Sequence, residues 1–262
     1  MKISIITTTY NSSKTISDCI TSVNNQTYSD IEHIIIDGAS IDNTIKIIDS
    51  LPNRVTTIIS EPDKGIYDAL NKGIHMATGD VIGFLHSDDI YASDKVISTV
   101  VDQFHQTSAD VIYGDLNYVN KNNTKKIVRY WKSCPFHPFL LKKGWMPPHS
   151  TFFAKRELYQ RYGVFDTSFR ISADYDLMLR FLKTRELNVH YIPEVLIHMR
   201  LGGQSNKSLK NIIRKTREDW RAIKKNETGN LLTLLQKNTS KIRQFIPDFH
   251  HIETGKNLDR KM

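Results

Sequence analysis

The chain has 262 residues, enough for one large domain or for a core with an appendage. Its composition, 39% hydrophobic and 24% charged, excludes an intrinsically disordered chain, a collagen-like repeat and a long coiled coil. Two cysteines, Cys19 and Cys134, are too few for a disulfide framework or a cysteine-based zinc site. No apolar run reaches the ~18 residues of a membrane span. We therefore expect a compact protein of a reducing, cytoplasmic compartment.

The net charge of +8 is unevenly distributed along the chain. Residues 1–120 carry 7 Lys/Arg and 16 Asp/Glu, whereas residues 121–262 carry 29 and 12. The acidic half favours cation binding, and the basic half favours an anionic partner or membrane surface. Unevenly spread solvated charge is an equally good interpretation of the basic half.

In chain order, the first 115 residues alternate between short apolar runs and amphipathic segments, which is typical of βα units that build a mostly parallel sheet. The predicted strands are 3–8, 32–37, 55–60, 81–86 and 110–113. A hairpin around 120–124 follows, then an irregular segment over 131–149, a strand at 151–154 and a helix from about Asp174. The last 58 residues are polar and basic, with a predicted helix over 209–225.

The ends of the predicted strands are the places where an open α/β sheet binds ligands. The first strand runs into a turn without glycine, and neither a Gly-x-Gly-x-x-Gly nor a P-loop motif occurs, which argues against a standard dinucleotide enzyme or ATPase. Instead, Asp37 ends the second strand, and Ser87-Asp88-Asp89 ends the fourth. Clustered carboxylates become favourable when they share a divalent cation with a phosphate. Turn or cap aspartates are the alternative interpretation.

The predicted helix from Ile66 places Asp68, Asn71 and Lys72 on one polar face. Such a face can hydrogen-bond a nucleobase or a sugar. A surface ion pair between Asp68 and Lys72 is equally compatible with the spacing.

Five segments carry a family resemblance: residues 4–11, 37–44, 65–73, 79–82 and 87–89. In this order and spacing they resemble the family 2 glycosyltransferases of the GT-A fold, in particular the bacterial branch that builds capsule, O-antigen or colanic-acid-type polysaccharide. The resemblance covers residues 1 to about 205 and implies a GT-A domain over 1–204. Within it, 1–115 would bind the nucleotide-sugar and 116–204 the acceptor, and a basic, mainly helical extension would follow over 205–262.

The resemblance implies roles for individual donor-side residues. Ser87 stands where the family's Asp-x-Asp-type motif begins, and Asp89 would bind Mn²⁺ or Mg²⁺. The implied donor-binding residues are Thr8, Tyr10, Asp37, Ser40, Asp68 and Asp88.

On the acceptor side, the resemblance aligns Asp174 with the family's catalytic base, although Ala173 stands where Glu is common. A helix N-cap is the alternative role of Asp174. His149 matches a histidine of the acceptor cleft, with a purely structural histidine as the alternative. Trp145, like Trp131 and Phe136, would stack on sugar rings or pack within a long loop.

Residues 198–205 resemble the family's mobile closing loop, in which Gly202 and Gly203 supply the hinge. Arg200 would then reach the donor diphosphate, and His198 the metal. An ordinary glycine turn is the alternative.

Together these features predict a metal-dependent inverting transferase that moves a sugar, preferably from a UDP-sugar, to a glycan or a polyprenyl-diphosphate-linked acceptor. We expect no nucleic-acid partner, and the basic tail suggests a peripheral contact with the anionic inner leaflet. A metal-dependent nucleotidyl or phosphoryl transferase and a non-catalytic basic nucleic-acid-binding module are the alternatives.

Overall fold

The structure is a computed structural model that describes residues 1–202 and 209–243. The strands of the described residues are β1 (Ile3–Thr9), β2 (Ile31–Asp37), β3 (Val55–Ser60), β4 (Val81–Phe84), β5 (Asp89–Tyr91), β6 (Val111–Asn120), β7 (Asn123–Trp131), β8 (Phe153–Lys155) and β9 (Val189–Arg200). The helices are α1 (Ile16–Asn24), α2 (Thr44–Ser50), α3 (Ile66–Met76), α4 (Val96–Thr107), α5 (Phe139–Lys142), α6 (Arg156–Tyr162), α7 (Ala173–Leu182), α8 (Leu209–Asn226) and α9 (Leu231–Arg243), with a 3₁₀ turn at His149–Thr151.

These strands join one sheet in the order β3-β2-β1-β4-β8-β6-β9-β5, with β7 paired to β6. The first four strands of this order are parallel, β8 is antiparallel to both of its neighbours, and β9 is parallel to β6. Helices flank the sheet, so the predicted α/β GT-A-type architecture with a helical C-terminal extension is confirmed.

The sheet is covered on both faces, which explains the nearly continuous apolar runs of its parallel strands. All seven residues of β1 are buried. Alternation along β1 sends Ile3 and Ile5 into one hydrophobic cluster and Ile6 into another. The first cluster packs against α4, and the second packs against α3, α6 and α7.

The strands predicted at 3–8, 32–37 and 55–60 differ from β1, β2 and β3 by at most one residue at an end. The fourth ends at Phe84, two residues early, because the chain turns there and the Asp89 N–H bonds to the His86 carbonyl at 2.9 Å. The strand predicted at 110–113 continues to Asn120, and β6 and β7 form the predicted hairpin.

The sequence pattern does not predict two of the strands, β9 and β5. β9 lacks a strict apolar alternation, contains Pro193 and shifts register against β6, while β5 is only three residues long. The strand predicted at 151–154 begins later, at Phe153, because Thr151 ends the 3₁₀ turn.

The C-terminal helices pack on the core formed by the first 200 residues. Ala222 and Ile223 of α8 and Leu234 of α9 belong to the cluster that surrounds α7. The predicted helix over 209–225 is confirmed as α8. Among the described residues, no helix combines the length and the apolar content needed to cross a bilayer.

A buried carboxylate on α8 holds the segment that leads into α7. Glu218 accepts hydrogen bonds from the backbone N–H groups of Arg170, Ile171 and Ser172, at 3.1, 2.8 and 3.1 Å. Ser172 is the residue just before α7. The Glu218 carboxylate thus binds three successive N–H donors just before α7, and the last of them, at the N-cap Ser172, is one that a helix start leaves without an intrahelical partner.

We predict that Glu218→Gln lowers the free energy of unfolding by about 2–3 kcal/mol. Both carboxylate oxygens of Glu218 accept from backbone N–H groups, whereas the amide of Gln has one oxygen that accepts and one nitrogen that only donates. Urea unfolding of both proteins measures the difference. Glu227→Gln, at an exposed position just after the same helix, should change stability by less than about 0.5 kcal/mol. Equal stability of Glu218→Gln and wild type would contradict this account.

Candidate active site

The parallel strands β1, β2 and β4 end at one edge of the sheet, and the polar residues of the sequence motifs follow these ends. Thr8 lies in β1 and is buried, whereas Tyr10 follows the strand and is 61% exposed. This edge is where an open α/β sheet binds its ligands.

Asp37, at the end of β2, is completely buried and held by hydroxyl groups. Its carboxylate accepts from the Ser40 N–H at 2.9 Å, the Ser40 hydroxyl at 2.5 Å and the Ser60 hydroxyl at 2.6 Å. A carboxylate has about four acceptor positions, so three hydrogen bonds fix Asp37 and leave capacity for one more donor.

The loop after β1 connects the other two strand ends. The Asn11 N–H donates to the Ser40 hydroxyl at 2.8 Å, and Asn11 Oδ1 accepts from the Ile41 N–H at 3.0 Å. The Ser12 and Ser87 hydroxyls lie 2.9 Å apart. Ser87, in the first place of the acidic motif, thus ties that motif to the first strand.

Asp68 lies in the first turn of α3, where its carboxylate accepts from the Lys64 N–H at 3.0 Å. The alternative ion pair between Asp68 and Lys72 is not formed, because Lys72 pairs with Glu61 at 2.7 Å instead. The Asn71 side chain bonds to both backbone groups of Phe165, which assigns Asn71 a structural role.

Asp89 is 1% exposed, and neither of its carboxylate oxygens has a hydrogen bond of good geometry with the described residues. Burial and the adjacent Asp88 raise the pKa of Asp89 well above its usual range, although the nearby Arg200 and the Ser150 hydroxyl act in the opposite direction. A buried carboxylate with only poorly aligned contacts to the Arg200 N–H and the Ser150 hydroxyl is unfavourable unless a cation or a proton compensates it.

The Asp89 carboxylate is the group at this site that suits a divalent ion. No three His, Cys, Asp or Glu side chains within residues 1–202 and 209–243 are grouped so as to hold an ion. Mg²⁺ commonly binds through one or two carboxylates together with substrate phosphates. One unpartnered carboxylate beside a diphosphate therefore fits such an ion, whereas an all-protein metal cage is absent from the described residues.

His198 and Arg200 occupy a strand, which corrects the expectation that they belong to a mobile closing loop. β9 ends at Arg200, and its pairing with β5 sets Asp89 opposite Met199 and His198 opposite Ile90. Side chains alternate along strands, so those of His198 and Asp89 leave the sheet on opposite faces. The structure does not bring His198 to Asp89.

Arg200 is 6% exposed and already has partners on the protein. Its guanidinium forms an ion pair with Asp18 of α1 and donates to the Asp88 carbonyl at 2.9 Å. Arg200 therefore fixes the backbone of the acidic motif in this structure. Of the predicted hinge, Gly202 is described, whereas Gly203 and the rest of the predicted loop to Ser205 lie outside the described residues.

On the acceptor side, Asp174 lies in the first turn of α7 and meets His149, whose Nδ1 is 3.7 Å from Asp174 Oδ2. The Tyr175 N–H donates to Asp174 at 2.8 Å. The Tyr67 hydroxyl donates to the Ile171 carbonyl at 2.6 Å and approaches Asp174 Oδ1 at 3.4 Å. Burial and Asp174 raise the pKa of Tyr67 well above its usual range, so Tyr67 remains a donor.

His86 and Tyr67 belong to this group, although neither is predicted as a site residue from the sequence. The rings of His86 and His149 lie 5.6 Å apart. Burial and the charge of His149 lower the pKa of His86 to about 4, so His86 is neutral at pH 7. The position of His86 directly before the acidic motif was the available sequence signal.

Both tryptophans of the irregular segment pack against other aromatic rings. Trp145 meets Tyr113 edge-on, with ring centroids 5.8 Å apart, and Trp131 stacks on Tyr118 at 6.4 Å. Both rings thus pack within the protein in this structure, which was the alternative to stacking on sugar rings. A contact of Trp145 with the acceptor stays a prediction.

Comparison with known proteins shows the family. The model of glycosyl transferase family 2 matches residues 4–172. A PGL/p-HBAD biosynthesis glycosyltransferase of Mycobacterium bovis is 29% identical over 208 residues, which cover 78% of each chain. An uncharacterized glycosyltransferase of Mycobacterium tuberculosis is 32% identical over 181 residues, or 68% of each chain.

Solved structures share the fold. Staphylococcus aureus TarS 1–349 in complex with UDP-GlcNAc matches 85% of this chain and 66% of its own length, with a TM-score of 0.65 and 17% identity. The Pyrobaculum calidifontis mannosyltransferase PcManGT, in complex with GDP-Man and Mn²⁺, matches 92% of this chain and 64% of its own length, with a TM-score of 0.59 and 18% identity. This chain spans 40% of the length of a longer TarS structure.

The family match includes the strand ends that carry Asp37, Asp88 and Asp89 and stops two residues before Asp174. Because this match covers well over half of the sequence, we conclude that the chain belongs to glycosyl transferase family 2.

Proposed function

We propose that this glycosyltransferase moves a sugar from a nucleotide-sugar, with a UDP-sugar favoured, to a glycan or lipid-linked acceptor in surface polysaccharide biosynthesis, with inversion at the anomeric carbon. One observation carries the proposal: a row of contacts joins a nucleotide-side carboxylate to an acceptor-side carboxylate. Hydrogen bonds lead from Asp37 through Ser40 to Asn11 and from Ser12 to Ser87, and a ring contact and a 3.7 Å approach lead from His86 through His149 to Asp174. Asn11–Ser12 and His86–Ser87 are neighbours in the chain and complete the row.

The donor preference rests on the capacity of Asp37 and on the structural neighbours. After three hydrogen bonds, the Asp37 carboxylate has acceptor capacity for about one more donor, which matches the single imide N–H of uracil. TarS was solved with UDP and with UDP-GlcNAc, which supports the same donor class here.

We assign the binding of Mn²⁺ or Mg²⁺ to Asp89, because its buried oxygens lack hydrogen-bond partners among the described residues. The mannosyltransferase PcManGT, a fold neighbour, was solved with Mn²⁺. When bound, such an ion neutralises negative charge on the nucleoside diphosphate. Arg200 supports the site by holding the Asp88 carbonyl at 2.9 Å.

Asp174 acts as the general base in the proposed reaction. It accepts the proton of the acceptor hydroxyl as that oxygen bonds to the anomeric carbon, while the bond to the diphosphate breaks on the opposite face. The proton ends on Asp174, and the bonding electron pair leaves with the nucleoside diphosphate. The Tyr175 N–H, Tyr67 and His149 orient the carboxylate.

Asp174→Asn should lower turnover by about 10²–10⁴-fold, because the amide keeps the shape but cannot accept the proton. The measurement is nucleoside diphosphate release with a panel of UDP-sugars, together with UDP affinity, which should not change. Asp102→Asn, at an exposed position in α4, is the matched control and should retain wild-type turnover. Wild-type turnover in Asp174→Asn would reject the assignment, and release of pyrophosphate would indicate a nucleotidyl transferase.

Asp89→Ala should remove the metal-dependent part of UDP binding. We expect calorimetry with Mn²⁺ to give at least about tenfold weaker UDP binding than in wild type, since a charged ligand of the ion is lost. In EDTA the two proteins should bind UDP equally, which controls for damage to the base pocket. Unchanged affinity with Mn²⁺ would count against the metal site at Asp89.

We also propose that the C-terminal extension contacts an anionic membrane surface. Four apolar side chains of α5 and α9 are each more than half exposed, and we call them the α9 patch: Phe139, Leu231, Leu232 and Leu235. Phe139 and Leu232 line one groove with Lys142, Lys143 and the single acid Glu227. Exposed apolar side chains next to cations are the combination that binds the interface of an anionic bilayer.

The full chain should float with phosphatidylcholine vesicles that contain 20 mol% phosphatidylglycerol at low salt, and not with pure phosphatidylcholine. Replacing Leu231, Leu232 and Leu235 by serine should reduce flotation several-fold, because each buried methylene contributes about 0.8 kcal/mol. Ile127→Ser/Val128→Ser, at exposed positions of β7, is the control. Absence of flotation by the wild-type protein would rule out this contact.

A further inference from the structure

A second surface on the C-terminal extension carries positive charge in an ordered array. Lys210, Arg214, Arg217 and Arg221 follow one another at spacings of four, three and four residues, which places them along one face of α8. They line a groove of about 570 Å³ together with Ile213 and Glu218. We call this surface the α8 groove.

Three of the four cations of the α8 groove are available for a ligand. Among the described residues, the ion pairs of α8 use Lys215 and Lys225 instead, and none involves Lys210, Arg214 or Arg217. The one acid in the groove, Glu218, directs both oxygens to the backbone N–H groups of residues 170–172. The groove therefore presents more positive than negative charge.

The groove borders the acceptor side of the proposed active site. Glu218 bonds to Ser172, and Asp174 lies two residues further along, in the first turn of α7. Arg221, at one end of the groove, contacts the chain just before this segment. Its guanidinium donates to the Ser168 hydroxyl at 2.7 Å and lies 3.6 Å from the centre of the Phe169 ring. A ligand in the α8 groove would therefore lie beside the segment that positions the base.

We propose that the α8 groove binds the diphosphate group of an acceptor whose sugar is linked through a diphosphate ester to an apolar chain. This inference rests on the proposed function, and it names the acceptor class and the residues that recognise it. Side chains three residues apart on a helix have Cβ atoms about 5–6 Å apart, so Arg214 and Arg217 can converge on neighbouring phosphates. Guanidinium groups bind phosphate oxygens in pairs. Ile213, 54% exposed, supplies an apolar contact at the same groove.

Geranyl diphosphate is a suitable probe, because it combines a diphosphate with a short apolar chain. Calorimetry in EDTA, with the full chain, keeps metal-dependent binding at the donor site from contributing. Arg214→Gln/Arg217→Gln should bind the probe at least about tenfold more weakly than wild type, since two charged contacts are lost. Lys121→Gln/Lys126→Gln, near the β6–β7 turn, removes the same charge at exposed positions and should bind like wild type.

Equal probe affinity in wild type and Arg214→Gln/Arg217→Gln would overturn the proposal. Vesicles of phosphatidylcholine with 20 mol% phosphatidylglycerol distinguish a lipid headgroup from an acceptor diphosphate. If the double variant loses vesicle binding while its affinity for geranyl diphosphate is unchanged, the groove is a membrane surface and the proposal is wrong. A titration of the wild-type protein with UDP in the presence of Mn²⁺ tests the proposed donor separately from the α8 groove. If UDP does not bind, the proposed donor is wrong, whereas the measured affinity for geranyl diphosphate still decides the proposal about the groove.

Discussion

Asp37, Asp68, Asp89 and Asp174 lie around one edge of the sheet, and the need to compensate their charge organises the site. Serine hydroxyl and N–H groups hold Asp37, the Lys64 N–H holds Asp68, and the Tyr175 N–H, Tyr67 and His149 surround Asp174. Asp89 differs, because its buried oxygens have no such partner in the described part of the chain. Repulsion and burial together make Asp89 the position at which a cation gains most.

The C-terminal helices take part in this arrangement through the backbone that precedes α7. Glu218 binds three successive N–H groups there, and Asp176 of α7 bonds to Asn226 at 3.0 Å and to Lys225 at 3.2 Å. Losing α8 would therefore leave three backbone donors close to Asp174 without partners, and Arg180 of α7 would be the remaining partner of the buried Asp176 carboxylate. The extension thus supports the acceptor side, and its outward cations remain available for an anionic ligand.

The sequence predicts the donor side well because its residues belong to short segments at the ends of local βα units. Asp37 and Ser40 are three residues apart, and the strand that carries Asp37 has a clear apolar run. The acceptor side depends on contacts between distant segments. Tyr67 meets Asp174 across 107 residues, and Arg200 meets Asp18 across 182. No local pattern reveals such pairs, which is why Arg200 is expected in a loop and found at the end of a strand.

We expect one edge of the sheet to bind a nucleoside diphosphate between Asp37 and Asp89, with Asp174 on the far side of the transferred sugar. The decisive measurement is a crystal structure of the full chain with UDP and Mn²⁺. It should show the uracil N–H on Asp37, the ion between Asp89 and the two phosphates, and Asp174 facing the space beyond the diphosphate. Nucleotide bound elsewhere, or an ion on the diphosphate that does not touch Asp89, would show this arrangement to be wrong.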